Sequence, residues 1–166
     1  MKVSIIIPVY NSVNTLRDCL DSILKQTFQN WEAICVNDGS QDGSLAILEE
    51  YENKDKRIKI LSKANGGAAS ARNFALDYIT DEKNRWISFV DADDYISPQM
   101  YELIDNALTK EDNDEIDYVR IFPTRTSKRY QENLSESIEN PDYQVVDRGG
   151  VFSCWHSRRI NCIPIY

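Results

Sequence analysis

Near its start the chain reads Val3-Ser4-Ile5-Ile6-Ile7-Pro8-Val9-Tyr10-Asn11. Val3 to Ile7 is a β-branched run closed by Pro8. Such a run, too short for a helix and without polar alternation, predicts a strand buried on both faces. Strands of that kind belong to parallel sheets covered by helices. The run superficially resembles an export signal, since Lys2 precedes it. Ser4 and Pro8 interrupt it, however, and no small-residue cleavage site follows.

The residues that follow repeat the same unit. Val13, Leu16, Leu20, Ile23 and Leu24 recur at helical spacing, with Asn11 or Ser12 as cap. Ala33 to Val36 predicts a second strand, stopped by Asn37-Asp38-Gly39-Ser40. Leu45, Ile47, Leu48 and Tyr51 mark a second helix, and Ile58 to Leu61 a third strand. Gly66-Gly67 precedes an Ala-rich helix over 68–79. Trp86 to Val90 predicts a fourth strand, ending at Asp91-Ala92-Asp93-Asp94. Ser97-Pro98 opens a fourth helix through Met100, Leu103, Ile104 and Leu108, with Pro at the first helical position. Ile116 to Phe122 predicts a fifth strand. The alternation implies an α/β fold: a mostly parallel central sheet, Rossmann-like, with helices on both faces. Past Phe122 the periodicity fades. Tyr143 to Val146 suits a short strand, Val151 to Trp155 is a brief apolar cluster, and Ile160 to Tyr166 is apolar in places.

In open α/β sheets, ligands bind beyond the carboxyl ends of the strands. Tyr10-Asn11, Asp38-Gly39-Ser40 and Asp91-Ala92-Asp93 all fall at such ends. Asp91 and Asp93 stand two apart, so an extended backbone would point both carboxylates one way. Two hard oxygen donors suit Mg²⁺ or Mn²⁺. The plain alternative is that Asp after a strand is turn chemistry. Asp38 could accept from a base imide or ribose hydroxyls, or could belong to a glycine turn in which Asp42 or Ser44 caps the next helix. Tyr10 could stack on a planar base or could be a core aromatic. Arg72, on an otherwise small and apolar helix, could reach a base or a phosphate, or could pair with a nearby Asp.

Composition narrows the classes. The 166 residues are 42% hydrophobic and 28% charged, which is globular usage. The net charge of −8 disfavours a nucleic-acid binder held by a basic surface. Met1 to Val119 carries 12 Lys and Arg against 22 Asp and Glu, net −10. Arg120 to Tyr166 carries 7 against 5, net +2. The chain therefore changes character near residue 120. Cys19, Cys35, Cys154 and Cys162 form no CxxC or zinc spacing, and Cys19 and Cys35 read as buried free thiols. No apolar stretch reaches membrane-span length. Asn133-Leu134-Ser135 matches a glycosylation sequon by pattern alone. GxGxxG, P-loop, serine-hydrolase and HExxH signatures are absent. His156 is the single histidine; with Arg158 and Arg159 nearby it could touch phosphate, but it reads better as a surface residue.

The chain resembles the family 2 glycosyltransferases of the GT-A fold. The resemblance rests on Val3 to Asn11, Val36 to Gly43, Asn65-Gly66-Gly67 with Ala71-Arg72-Asn73, and Phe89 to Asp94, in this order. It covers about residues 1 to 110. It implies an inverting transfer of a sugar from a nucleotide-sugar, usually a UDP-sugar, to an acceptor hydroxyl. It implies Tyr10 against the base with Pro8 shaping that wall, Asp38 on the base edge and Arg72 near the base. Asp91 would sit by the ribose or sugar, with Asp93 as direct ligand of Mn²⁺ or Mg²⁺. It further implies a saccharide or lipid-linked acceptor, work in cell-surface polysaccharide or glycan synthesis, and a cytoplasmic location at the face of the membrane.

One family feature is missing. The base is typically an Asp in a late acidic motif, often Glu-Asp. From Arg120 onward the acids are Glu132, Glu136, Glu139, Asp142 and Asp147, none in that setting. The expectation is a donor-binding region over 1–120 and an incomplete acceptor-side region over 121–166. Two alternatives stay open. One is a non-catalytic nucleotide-sugar-binding module. The other is a nucleotidyltransferase, disfavoured because Tyr10-Asn11-Ser12-Val13 is neither glycine-rich nor basic.

Overall fold

The computed structural model describes residues 1–79, 85–110, 118–121, 143–146 and 161–164. Its elements run β1 (Lys2–Val9), α1 (Leu16–Leu24), β2 (Trp31–Asp38), α2 (Ser44–Lys54), β3 (Ile58–Lys63), α3 (Ala68–Tyr78), β4 (Arg85–Phe89), α4 (Met100–Lys110), β5 (Tyr118–Ile121), β6 (Tyr143–Val146) and β7 (Asn161–Pro164). One sheet holds the strands in the order β3-β2-β1-β4-β7-β5-β6. All pairs are parallel except β5 with β6.

β1 is buried on both faces, as its unbroken apolar run demands. Val3, Ile5, Ile7 and Val9 point to one side, where Leu16, Cys19, Leu20 and Ile23 of α1 pack with Ile47, Leu48 and Tyr51 of α2 and with Tyr101, Ile104 and Leu108 of α4. Ile6 points to the other, against Ala71, Ala75 and Leu76 of α3, with Ile34, Val36 and Ile87 from neighbouring strands. The period of two puts the two sets on opposite faces. The alanines of α3 let that helix lie close to the sheet.

The strand order explains where a ligand can enter. From β1 the chain winds outward through β2 to β3, then α3 carries it back across to β4 on the other side of β1. The winding reverses between β1 and β4, which opens a crevice at their carboxyl ends.

Several expectations need correcting. Helix α1 begins at Leu16, and its cap residue is Thr15 rather than Asn11 or Ser12, with no side-chain cap bond. The Ser12 carbonyl instead accepts from the N–H of Thr15 and of Leu16. Ser97-Pro98 is a turn ahead of α4, closed by the Met100 N–H to the Ser97 carbonyl at 3.0 Å. In the sheet β7 lies between β4 and β5. β7 falls in a segment read only as apolar in places. Cys19 and Cys35 are buried free thiols. Burial pushes both thiols up, Cys35 to about 12. Val151 to Trp155, Cys154, His156, Arg158, Arg159, the sequon at Asn133 and the acids Glu132, Glu136, Glu139, Asp142 and Asp147 lie outside the described residues. Among the described residues no helix is long and apolar enough to cross a membrane.

Candidate functional site

Three loops meet at the crevice. The first follows β1, and its shape is set by Asn11, whose φ of 48° is left-handed. Asparagine tolerates that region better than most side chains. The second follows β2, and the two are stitched together. The Asn11 N–H donates to Ser40 Oγ at 3.1 Å, and the Gln41 N–H donates to Asn11 Oδ1 at 2.8 Å. The Ser12 N–H donates to Ser44 Oγ at 2.9 Å. Asp42 accepts from the Val13 N–H at 3.0 Å and from the Ser44 N–H at 2.9 Å. Bonds from Ser44 and Val13 hold the Asp42 carboxyl below the usual range. Asp42 therefore serves the start of α2 and also fastens the neighbouring loop.

Asp38 ends β2, with 2% of its surface exposed. Its carboxylate accepts from Lys63 Nζ at 2.7 Å, the Gly66 N–H at 3.1 Å and the Gly67 N–H at 2.7 Å. Burial alone would raise its pKa, but the Lys63 ammonium and the two glycine N–H groups outweigh it and hold the carboxyl low. Gly39 follows with φ 73°, and a Cβ there would lie 2.8 Å from the Asn65 nitrogen. Glycine is thus required twice over, by backbone conformation and by close approach.

The third loop follows β4. The Asp94 N–H donates to the Asp91 carbonyl at 3.0 Å, so Asp91 to Asp94 is a turn. The expected extended backbone, with both carboxylates aligned by a period of two, is not what forms. The loop is nonetheless held firmly from below. Ser22 Oγ accepts from the Ile96 N–H, and Gln26 Nε2 donates to the Ser97 carbonyl at 2.6 Å. Burial, then the charges of Asp93 and Asp91, raise the Asp94 carboxyl above its ordinary value. Arg72 of α3 pairs with Asp91 Oδ1. Its Nε is buried and has no hydrogen-bond partner among the described residues.

These loops enclose an open cleft of about 510 Å³. Pro8, Tyr10, Asp38, Asp91 and Asp93 all line it, with Asn11, Asn65 and Gly67. Tyr10 is half exposed, which removes the core-aromatic alternative. Arg72 does not line the cleft and meets it only through Asp91. Sequence reasoning missed the clamp from Lys63 and Gly66-Gly67 onto Asp38. The signal was present in Lys63-Ala64-Asn65-Gly66-Gly67, but pairing Lys63 with Asp38 requires knowing that β3 lies beside β2.

A model of glycosyl transferase family 2 matches residues 4–163. The chain belongs to glycosyl transferase family 2. This family 2 chain is 36% identical over 157 residues to a poly(ribitol-phosphate) beta-glucosyltransferase of Bacillus spizizenii, covering 92% of this chain and 24% of that protein. It is 45% identical over 100 residues to the uncharacterized glycosyltransferase EpsJ of Bacillus subtilis, covering 60% of this chain and 28% of the relative. The crystal structure of S. aureus TarS 1-349 in complex with UDP-GlcNAc superposes with a TM-score of 0.65 at 31% identity, covering 77% of this chain and 36% of that one. A mannosyltransferase from Pyrobaculum calidifontis shares the fold at TM-score 0.62 and 21% identity, covering 78% of this chain and 37% of that one. The GT-A architecture is therefore established, and the chain spans about a quarter of the length of these two curated relatives.

Proposed function

We propose that this chain binds the nucleotide part of a nucleotide-sugar, a UDP-sugar first of all, for inverting transfer of the sugar to an acceptor hydroxyl in cell-surface polysaccharide or glycan synthesis. The observation that carries this is the meeting of Pro8, Tyr10, Asp38, Asp91 and Asp93, from three strand ends, in one cleft. Tyr10 offers an exposed ring for a base to stack on. Asp38 offers a buried, ionised acceptor at the base edge. Arg72 pairs with Asp91 and so orients that carboxylate at the cleft.

The carboxylates suit a divalent ion. Asp93 and Asp91 are hard oxygen donors, and beside them burial first, then their two charges, raise the Asp94 carboxyl. Among the described residues no group of three or more His, Cys, Asp or Glu could hold a metal alone, so the donor's phosphates and water would complete the shell. Mg²⁺ or Mn²⁺ bound there would supply Lewis-acid stabilisation of charge on the departing diphosphate. The protein's part is to fix Asp91 through Arg72 and to leave Asp93 facing the cleft.

In this reading residues 1–120 bind the donor and 121–166 begin the acceptor side, on the cytoplasmic face of a membrane. A base must take the acceptor's proton, and none stands out among the described residues. A second reading is a nucleotide-sugar-binding module without turnover. Calorimetry with UDP, with and without Mn²⁺, followed by a UDP-sugar transfer assay, separates the two. Metal-dependent UDP binding lost in Asp93→Ala supports the site. UDP binding with turnover supports the enzyme, and binding without turnover supports the module. No UDP binding, or none of the expected change in Asp93→Ala, overturns the site.

A further inference from the structure

Lys63 lies outside the cleft lining, yet its ammonium is spent on the most buried carboxylate of the site. Nζ donates to Asp38 Oδ1 at 2.7 Å and to the Ala64 carbonyl at 2.6 Å. Its place is built. An ideal Cβ on Gly66 would stand 2.8 Å from Lys63 Nζ, so the missing side chain at residue 66 makes room for the ammonium.

A carboxylate has about four acceptor sites. In Asp38, Lys63 and Gly66 engage Oδ1, while Gly66 and Gly67 engage Oδ2. The Gly66 N–H is shared between the two oxygens, so three donors take about three of the four sites and leave room for about one more. A base edge with a single N–H between two carbonyls, as in uracil, fits one open acceptor. Guanine presents two neighbouring N–H donors and needs two acceptors. Cytosine presents a ring nitrogen acceptor at the equivalent position and would face a carboxylate unpaired.

We propose that Lys63 is a specificity-determining residue that acts through Asp38. By occupying Oδ1 it restricts the carboxylate to one further N–H and so biases the site toward uracil nucleotides over guanine nucleotides. The inference rests on Asp38 meeting the base edge, and the experiment separates the two claims.

Calorimetry with Mn²⁺ measures UDP, GDP and CDP binding to the full chain and to Lys63→Met, Lys63→Arg and Gly66→Ala. The unsubstituted chain is expected to prefer UDP over both others. In Lys63→Met the UDP-to-GDP ratio falls by about tenfold, the effect of one charge-assisted hydrogen bond. Lys63→Arg restores most of it. Gly66→Ala keeps the charge but displaces the ammonium, and shifts the ratio the same way, which serves if Lys63→Met does not fold. An unchanged ratio in a folded Lys63→Met or Gly66→Ala chain overturns the role of Lys63. So does a chain that binds UDP and GDP equally. If no nucleotide binds to the unsubstituted chain, the base-site reading itself fails.

Discussion

Asp38 shows how one residue is made to stay charged out of water. Three donors converge on it, and they outweigh its burial. The sign for stability follows. Its folded pKa lies below the unfolded value of about 3.9. The stabilisation is complete above that value and is lost as pH falls through the folded pKa. Acid unfolding should therefore steepen below about pH 4, and Asp38→Asn should flatten that limb; equal acid limbs in the two chains would show that Asp38 contributes nothing to it. Gly39 next door makes a sharper case. Gly39→Ala places a Cβ against the Asn65 nitrogen at left-handed φ. It should cost at least ~1–2 kcal/mol in a denaturant titration. Gly43→Ala, at φ −73° and facing only a Val13 methyl, should cost clearly less.

Elements are located by their periodic residues, but their ends are set by contacts that periodicity does not carry. The four helices and first four strands were legible from apolar spacing. The start of α1 was not, because Asn11 and Ser12 look like caps yet spend their groups on the β2–α2 loop. The Asp91 turn was hidden for a similar reason: two aspartates two apart read alike in strand or turn. The site residues were legible as strand-end polar clusters, whereas Lys63 was not, being a strand residue whose role depends on a neighbouring strand. Gln26 is another example. Beyond α1 it is 2% exposed, and its amide bonds to the Ser22 and Ser97 carbonyls and accepts from the Tyr101 N–H. It ties α1 to the segment between the aspartates and α4. Gln26→Ala should lose about 2 kcal/mol and speed hydrogen exchange at Tyr101. Unchanged exchange there would mean the tie is idle.

At the scale of the molecule, the sheet sets what is near what. The reversal of winding between β1 and β4 brings three strand ends to one mouth, and α3 alone, among the described helices of the first four strands, covers the face opposite α1, α2 and α4. Truncating Leu76 of α3 to Ala should therefore loosen the second face and lower the melting temperature by several degrees, without removing a cleft residue. A melting temperature equal to that of the parent would place the load elsewhere.

The same strand order fixes a timetable. β4 pairs on one side with β1 and on the other with β7. Between Phe89 and Asn161 lie more than seventy residues. A ribosome adding ~5–20 residues per second takes roughly 4–14 s to make them. For that interval the nascent β4 carries a row of unmatched N–H and C=O groups, which is a template for any passing strand. That edge of β4 has no partner strand from this chain until β7 has been made.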